Sequence, residues 1–223
     1  MSRILLDIYH RLYGRFGSQD WWPAETPFEV IVGAILTQNT AWSNVEKAIG
    51  NLKRERLLSP PALTHARLTT IARLIRPSGY YNIKARRLRN FLAFFTKHFK
   101  ADMKKFVRAE GEGLRKALLE VNGIGPETAD SILLYAARKP FFVIDAYTRR
   151  IFSRHGLIDA NAPYDQLQRF FMSGLPRRVK LYNEYHALIV RAGKELCKKR
   201  PLCGQCPLSA ITGNSRWRPP YDH

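Results

Sequence analysis

Cysteine is scarce in this chain. Only Cys197, Cys203 and Cys206 occur among 223 residues, all within "CKKRPLCGQC". An odd number so confined argues against a disulfide framework. Long apolar runs are missing as well: none could cross a bilayer. The opening "MSRILLDIYHRLYGRFG" has neither the unbroken apolar stretch nor the small-residue cleavage site of a secretion signal. The expected compartment is the cytoplasm, with nucleoid association if the source is bacterial, and no membrane partner. Low-complexity tracts and short-period repeats are absent, and no convincing period-two alternation is found; "FFVID" is short enough to be a buried connector. Acidic residues are also few, 18 against 37 basic ones, which leaves a net charge of +19. Self-repulsion of that size usually signals a polyanionic partner. The basic residues are spread over "KARRLRNF", "KHFKADMKK", "RRVK" and "KKR", so they predict basic surfaces on a folded body and not a basic tail. A solvated basic face with no partner is the alternative.

What remains is helical. "FEVIVGAILTQ" places Phe28, Ile31, Ala34 and Ile35 on one face, with Thr26 as cap, Pro27 in the first turn and Glu29 completing a capping box. "LRNFLAFFTKHF" spaces Leu88, Phe91, Leu92, Phe95 and Phe99 for a helix, "ADSILLYAA" does so with Ala129, Ile132, Leu133 and Ala136, and "LYNEYHALIVRAGKEL" with Leu181, Tyr185, Leu188, Ile189 and Ala192. Pro/Gly punctuation at "PAETP", "SPPAL", "RPSGYY" and "NAPYD" separates the helices. The predicted fold class is all-α.

The segment "VNGIGPETADSILLYAARKPFFVID" raises the sharpest question. Gly123 and Gly125 flank Ile124 between the helix "GLRKALLEV" and the helix that Pro126 begins. Glycines there permit a tight turn and close approach of a partner, and the N–H groups opening the next helix suit a phosphate. Ile124 would plug into the core and brace the two helices. A plain helix–turn–helix connection is the competing reading. Asp145, ending the apolar run, is either a helix cap or a working carboxylate.

"EVNGIGPETADSILLYAARKPFFVIDAYTRRIF" resembles the helix–hairpin–helix plus aspartate motif of the endonuclease III superfamily of DNA glycosylases. "ILTQNTAWSNVEKAI", "RPSGYYNIKARRL" and "CKKRPLCGQCPL" resemble further parts of it, so the likeness runs over roughly residues 20 to 210. It implies two helical lobes flanking a DNA-binding cleft. One is a six-helix barrel over residues 27–138, with the helix–hairpin–helix at about 113–138. The other combines residues 1–26 with 139–223 and carries a degenerate cysteine loop at 197–212. Asp145 matches the family's catalytic aspartate, where a carboxylate stabilises the cation that forms on the sugar and orients the attacking water. Asn122, Gly123, Ile124, Gly125 and Thr128 match the DNA-binding hairpin. Gln38 stands where the family keeps a glutamine that fills the gap left by an extruded base; a solvent-facing polar residue is the alternative.

Two departures narrow the expectation. Bifunctional members carry a Schiff-base lysine where this chain has Glu127, and glutamate cannot form a Schiff base. A monofunctional glycosylase is therefore expected. The adenine–mismatch branch carries an acid on the early helix where this chain has Gly33. Tryptophan is supplied instead: "DWWPAETP" gives Trp21, Trp22 and Pro23, and "QNTAW" gives Trp42. Flat rings suit an extruded base, and a cationic base especially. With Glu127 to receive that cation, the pattern is similar to the 3-methyladenine glycosylases of the superfamily. Packing alone is the alternative reading of each Trp. The cluster loop is incomplete: Cys197-x5-Cys203-x2-Cys206 is followed by Thr212 where a fourth cysteine is needed. No cofactor is expected and no intact [4Fe–4S] cluster. A degraded cluster or zinc, with a ligand such as His223, is the alternative, and Lys198, Lys199 and Arg200 would meet phosphates without metal. The expected partner is double-stranded DNA containing a damaged base, bound by a monomer. The rival functions are a glycosylase for another damaged or mismatched base and a non-catalytic DNA-binding protein.

Overall fold

The computed structural model describes residues 2–211, and every regular element among them is helical. The all-α expectation holds. The described residues form two compact units, Trp22–Lys139 and the residues up to Trp21 together with those from Pro140 onward. In chain order the helices are α1 (Ser2–Phe16), α2 (Pro27–Leu36), α3 (Trp42–Arg54), α4 (Pro60–His65), α5 (Leu68–Leu74), α6 (Tyr81–Phe99), α7 (Met103–Arg108), α8 (Gly111–Leu119), α9 (Pro126–Ser131), α10 (Ala146–Arg154), α11 (Tyr164–Gly174) and α12 (Val179–Glu195). No described helix is long and apolar enough to span a membrane.

In the unit from Trp22 to Lys139, α2 is the central rod. Thr26 Oγ1 accepts the Glu29 N–H at 3.1 Å, as a cap should. The other half of the expected capping box is different. The Glu29 carboxylate accepts the Glu25 N–H at 3.2 Å and pairs with Lys53 Nζ at 2.9 Å. Nor is α2 buried on one face only: every residue from Phe28 to Leu36 is buried, because α3, α6 and the segment after α9 pack around it. Its C-terminus is closed from the side by Lys84 of α6, whose ammonium donates to Leu36 O at 2.7 Å, to Thr40 Oγ1 at 2.6 Å and to Ser78 O at 2.6 Å. Three acceptors match the three N–H of an ammonium. Around α6, Phe91 and Phe95 stack at 5.7 Å and meet Phe106 edge-on, all three 1% exposed or less. Burial of each phenyl ring stabilises by about 2–3 kcal/mol.

In the other unit, α1 and α12 are joined by Tyr185, whose hydroxyl donates to Leu5 O at 2.8 Å. On α12 the buried ring at the first turn is Tyr182, while Leu181 is only half-buried. The connector "FFVID" has no regular secondary structure and is buried throughout. Its polar backbone is satisfied by side chains instead. Gln168 donates to Phe142 O at 2.8 Å, and the Ile144 N–H donates to the Tyr164 hydroxyl at 3.3 Å. Phe142 stacks on Phe171 at 4.4 Å. This fixes the path of the chain into Asp145.

Candidate active site

Asp145 is the N-cap of α10. Its Oδ1 accepts the Thr148 N–H at 2.7 Å and the Thr148 hydroxyl at 2.8 Å. The residue is 8% exposed, and burial alone would raise its pKa. The His186 imidazole beside it, then the two Thr148 donors, outweigh burial and hold it below the ordinary carboxylate range. The residue therefore caps a helix and is at the same time a rigid, ionised carboxylate. The two readings open at the level of sequence are compatible.

The glycine hairpin lies in the other unit, between α8 and α9. Arg115 of α8 holds Asp130 of α9 through Nε at 2.8 Å and Nη2 at 3.2 Å, which pins the two helices together. Ile124 is 4% exposed. The two glycines do different work. Gly123 has φ +95°, which only glycine adopts at low cost, and a Cβ there would overlap the Arg87 side chain. Gly125 has φ −90° and open space where a Cβ would stand. The chain itself does not require a glycine at 125. Gln38 follows α2 and belongs to the same network. Its Nε2 donates to Gly123 O and to Thr128 Oγ1, both at 2.9 Å, and its Oε1 accepts from Arg87. Thr128 is buried and its hydroxyl oxygen accepts from Gln38, whereas Asn122 is exposed. Arg86, Arg87, Ile83, Asn122 and Gly123 line a groove of about 480 Å³ beside the hairpin.

The aromatic residues of this unit also converge. Trp22 meets Trp42 edge-on, 5.1 Å between centroids at 89°, and lies 5.2 Å from Tyr135. Gly33 makes room for this: a Cβ there would stand 3.1 Å from Trp22 Cζ2. Pro23 and Glu127 are exposed, and Trp21, half-buried, is counted with the other unit. Tyr135 escaped the sequence reading because of the register of its segment. Ile132–Ala136 is a π-turn in which the Ala137 N–H donates to Ile132 O. The 3.6-residue period that selected Ala129, Ile132, Leu133 and Ala136 left Tyr135 off the stripe, yet it is 8% exposed. π-turns within helices often mark functional sites.

Residues 32–177, more than half the chain, match the HhH-GPD superfamily of base excision DNA repair proteins. The chain belongs to that superfamily. It is 47% identical to the putative DNA repair glycosylase MJ1434 of Methanocaldococcus jannaschii, over 92% of this chain and 94% of that one. Among solved structures it is similar to the H. pylori 3-methyladenine DNA glycosylase MagIII bound to 1,N6-ethenoadenine, with 30% identity, a TM-score of 0.75, and 87% and 97% of the two chains covered. A non-covalent endonuclease III–DNA complex superposes with a TM-score of 0.81 over 95% of each chain. At 20% identity that likeness is one of fold.

Some HhH-GPD proteins hold an iron–sulfur cluster in a C-terminal loop, by the resemblance drawn above. The residues here do not fit one. The whole chain has three cysteines and four thiolates are needed. Cys203 is exposed, Cys197 Sγ accepts an N–H from Arg154 at 3.2 Å, and burial pushes the Cys206 thiol up. Among the described residues no group of three or more His, Cys, Asp and Glu side chains is arranged to hold a metal ion. Thr212 and His223 lie outside the described residues. The loop is held by arginine and histidine. Arg150 donates to Cys197 O at 2.7 Å and Gly193 O at 2.9 Å, Arg154 to Lys198 O at 2.6 Å, and a His155 ring nitrogen meets Ile211 O at 2.7 Å.

Proposed function

We propose that this chain is a monofunctional DNA glycosylase that hydrolyses the N-glycosidic bond of alkylated purines of the 3-methyladenine type in double-stranded DNA. The observation that carries the chemistry is Asp145, buried, fixed by Thr148 and held below the ordinary carboxylate range. As the C1′–N bond breaks, its electron pair leaves with the base and positive charge develops on the sugar. A fixed carboxylate stabilises that charge most when it needs no reorganisation. The same carboxylate orients the attacking water. Water then adds to C1′, loses a proton to solvent, and leaves an abasic site.

An alkylated purine already carries the positive charge that makes it a good leaving group, so no strong general acid is required. What the enzyme must supply is selection. Trp22, Trp42 and Tyr135 offer aromatic surface for a flat cation, and Gly33 leaves the space that lets Trp22 sit there. Trp21 and Pro23 extend the same segment, and Glu127, at the lysine position of bifunctional relatives, carries charge of the sign the base needs. The likeness to MagIII supports this substrate class. The hairpin from Asn122 to Gly125 receives the phosphate backbone, where Gly125 leaves room for a partner. Gln38 enters the gap left by the extruded base. The enzyme works as a monomer, without a metal in the cysteine loop, where Lys198, Lys199 and Arg200 meet phosphates.

The test is single-turnover base release from duplexes carrying 3-methyladenine, 1,N6-ethenoadenine, a thymine mismatch, uracil or an oxidised pyrimidine. Release of 3-methyladenine is expected, and 1,N6-ethenoadenine, which lacks its fixed positive charge, should be released more slowly. Release of thymine, uracil or oxidised pyrimidine alone would replace the substrate class. Tight binding without release of any base would make the protein a binding module.

A further inference from the structure

Asp145 does more than its cap requires. Capping uses Oδ1 alone, since both Thr148 donors end there. Oδ2 faces α12, where His186 Nε2 lies 3.6 Å away, and both side chains are buried. The two residues are 41 positions apart in sequence, so their approach is a product of packing between α10 and α12.

That packing is rigid. A Cβ on Gly193 would overlap Tyr147, so the two helices meet backbone against ring. Arg150 of α10 bridges to Gly193 O and Cys197 O across the same contact. Tyr185, next to His186, is 0% exposed and tied to Leu5 O, which fixes the rotation of α12 about its axis. His186 therefore cannot drift from Asp145 without breaking several buried contacts.

We infer that His186 is a positioning residue for the reaction: its Nε2, 3.6 Å from Asp145 Oδ2, braces that oxygen from α12 while Thr148 of α10 holds the other, so that the carboxylate plane is fixed from both sides. A carboxylate oxygen has lone pairs enough to meet this contact and still face a developing cation. Groups that orient a functional side chain in this way are typically worth 10- to 100-fold in metal sites, the best-measured case.

The inference rests on the glycosylase reading given above, and the experiment separates the two. His186→Gln keeps an N–H donor near the position of Nε2, and His186→Ala removes it. Single-turnover release and duplex Kd are measured for both. His186→Ala is expected to lose roughly 10- to 100-fold in rate with Kd unchanged, and His186→Gln to regain most of the rate. Equal rates for wild type and His186→Ala would overturn the inference and leave the glycosylase reading standing. Equal losses in both variants would reduce His186 to packing and overturn it too. A readout independent of activity is the ¹⁵Nε2 and ¹Hε2 resonances of His186, which should move in Asp145→Asn. Unmoved resonances would show that His186 does not act on Asp145, whatever the enzyme does to DNA.

Discussion

Two buried charges anchor the two units, and they are used in opposite ways. Asp145 caps the start of α10 and Lys84 closes the end of α2. Lys84 is 1% exposed, and burial, with Arg87 nearby, lowers its pKa to about 8. By pKa alone it would be the obvious amine to stand in for the missing Schiff-base lysine. Geometry excludes it, because all three of its N–H groups are spent on Leu36, Thr40 and Ser78. Asp145 commits one oxygen to Thr148 and keeps acceptor capacity on the other. Burial and a shifted pKa are common to both residues, and what separates them is the acceptor capacity left on Asp145.

Substitutions at the two anchors should separate rate from stability. The largest effect is expected for Asp145→Asn, a loss of roughly 10³-fold or more in single-turnover release. Stability should change by less than about 1 kcal/mol, since Asn caps nearly as well as Asp, and duplex binding should be equal or tighter. Lys84→Met should do the reverse: about 3 kcal/mol lost in denaturant unfolding, because three buried acceptors lose their donor, with the rate per folded molecule retained.

The pH dependence sharpens the contrast. The folded pKa of Asp145 is depressed, so its contribution to stability is present above the ordinary carboxylate range and is lost as pH falls through the folded value. The folded pKa of Lys84, about 8 against 10.5 in the unfolded chain, means the unfolded state binds more protons between those values. Stability should therefore rise with pH across that window in the wild type, and the rise should be smaller in Lys84→Met. Titrated urea midpoints of the two proteins check the sign.

Smaller effects belong to recognition. Trp42→Ala should lose about 1–3 kcal/mol of selection for an alkylated over an ordinary purine. Arg87→Ala frees Gln38 and widens the groove at the hairpin. It should weaken binding to all duplexes alike and reduce the salt slope by about 1 if Arg87 meets a phosphate.

The helices, the hairpin and Asp145 were legible in the sequence because each is signalled locally: Pro126 opens α9, Thr26 caps α2, and two glycines bracket one apolar residue. What escaped depends on contacts between distant residues or on register. His186 reaches Asp145 only once α12 lies on α10, and nothing near residue 186 announces it. Tyr135 was hidden by a π-turn, whose extra residue per turn leaves no mark in composition. The capping box at Glu29 misled for a related reason: a carboxylate with Lys53 in reach is drawn from the local partner that the motif assumes. The glycines were read as a pair, whereas the structure assigns the turn to Gly123 and open space to Gly125.

The central claim is that water, and no amine of this chain, attacks the sugar. The most direct measurement is single-turnover reaction on a duplex containing 3-methyladenine, followed on denaturing gels with and without alkali, with borohydride present in a parallel sample. The account predicts base release at the same rate in every sample, strand cuts only after alkali, and no protein–DNA adduct with borohydride. Strand cuts without alkali together with a trapped adduct would contradict it, and would mean that a lysine elsewhere in the chain performs the chemistry that Glu127 cannot.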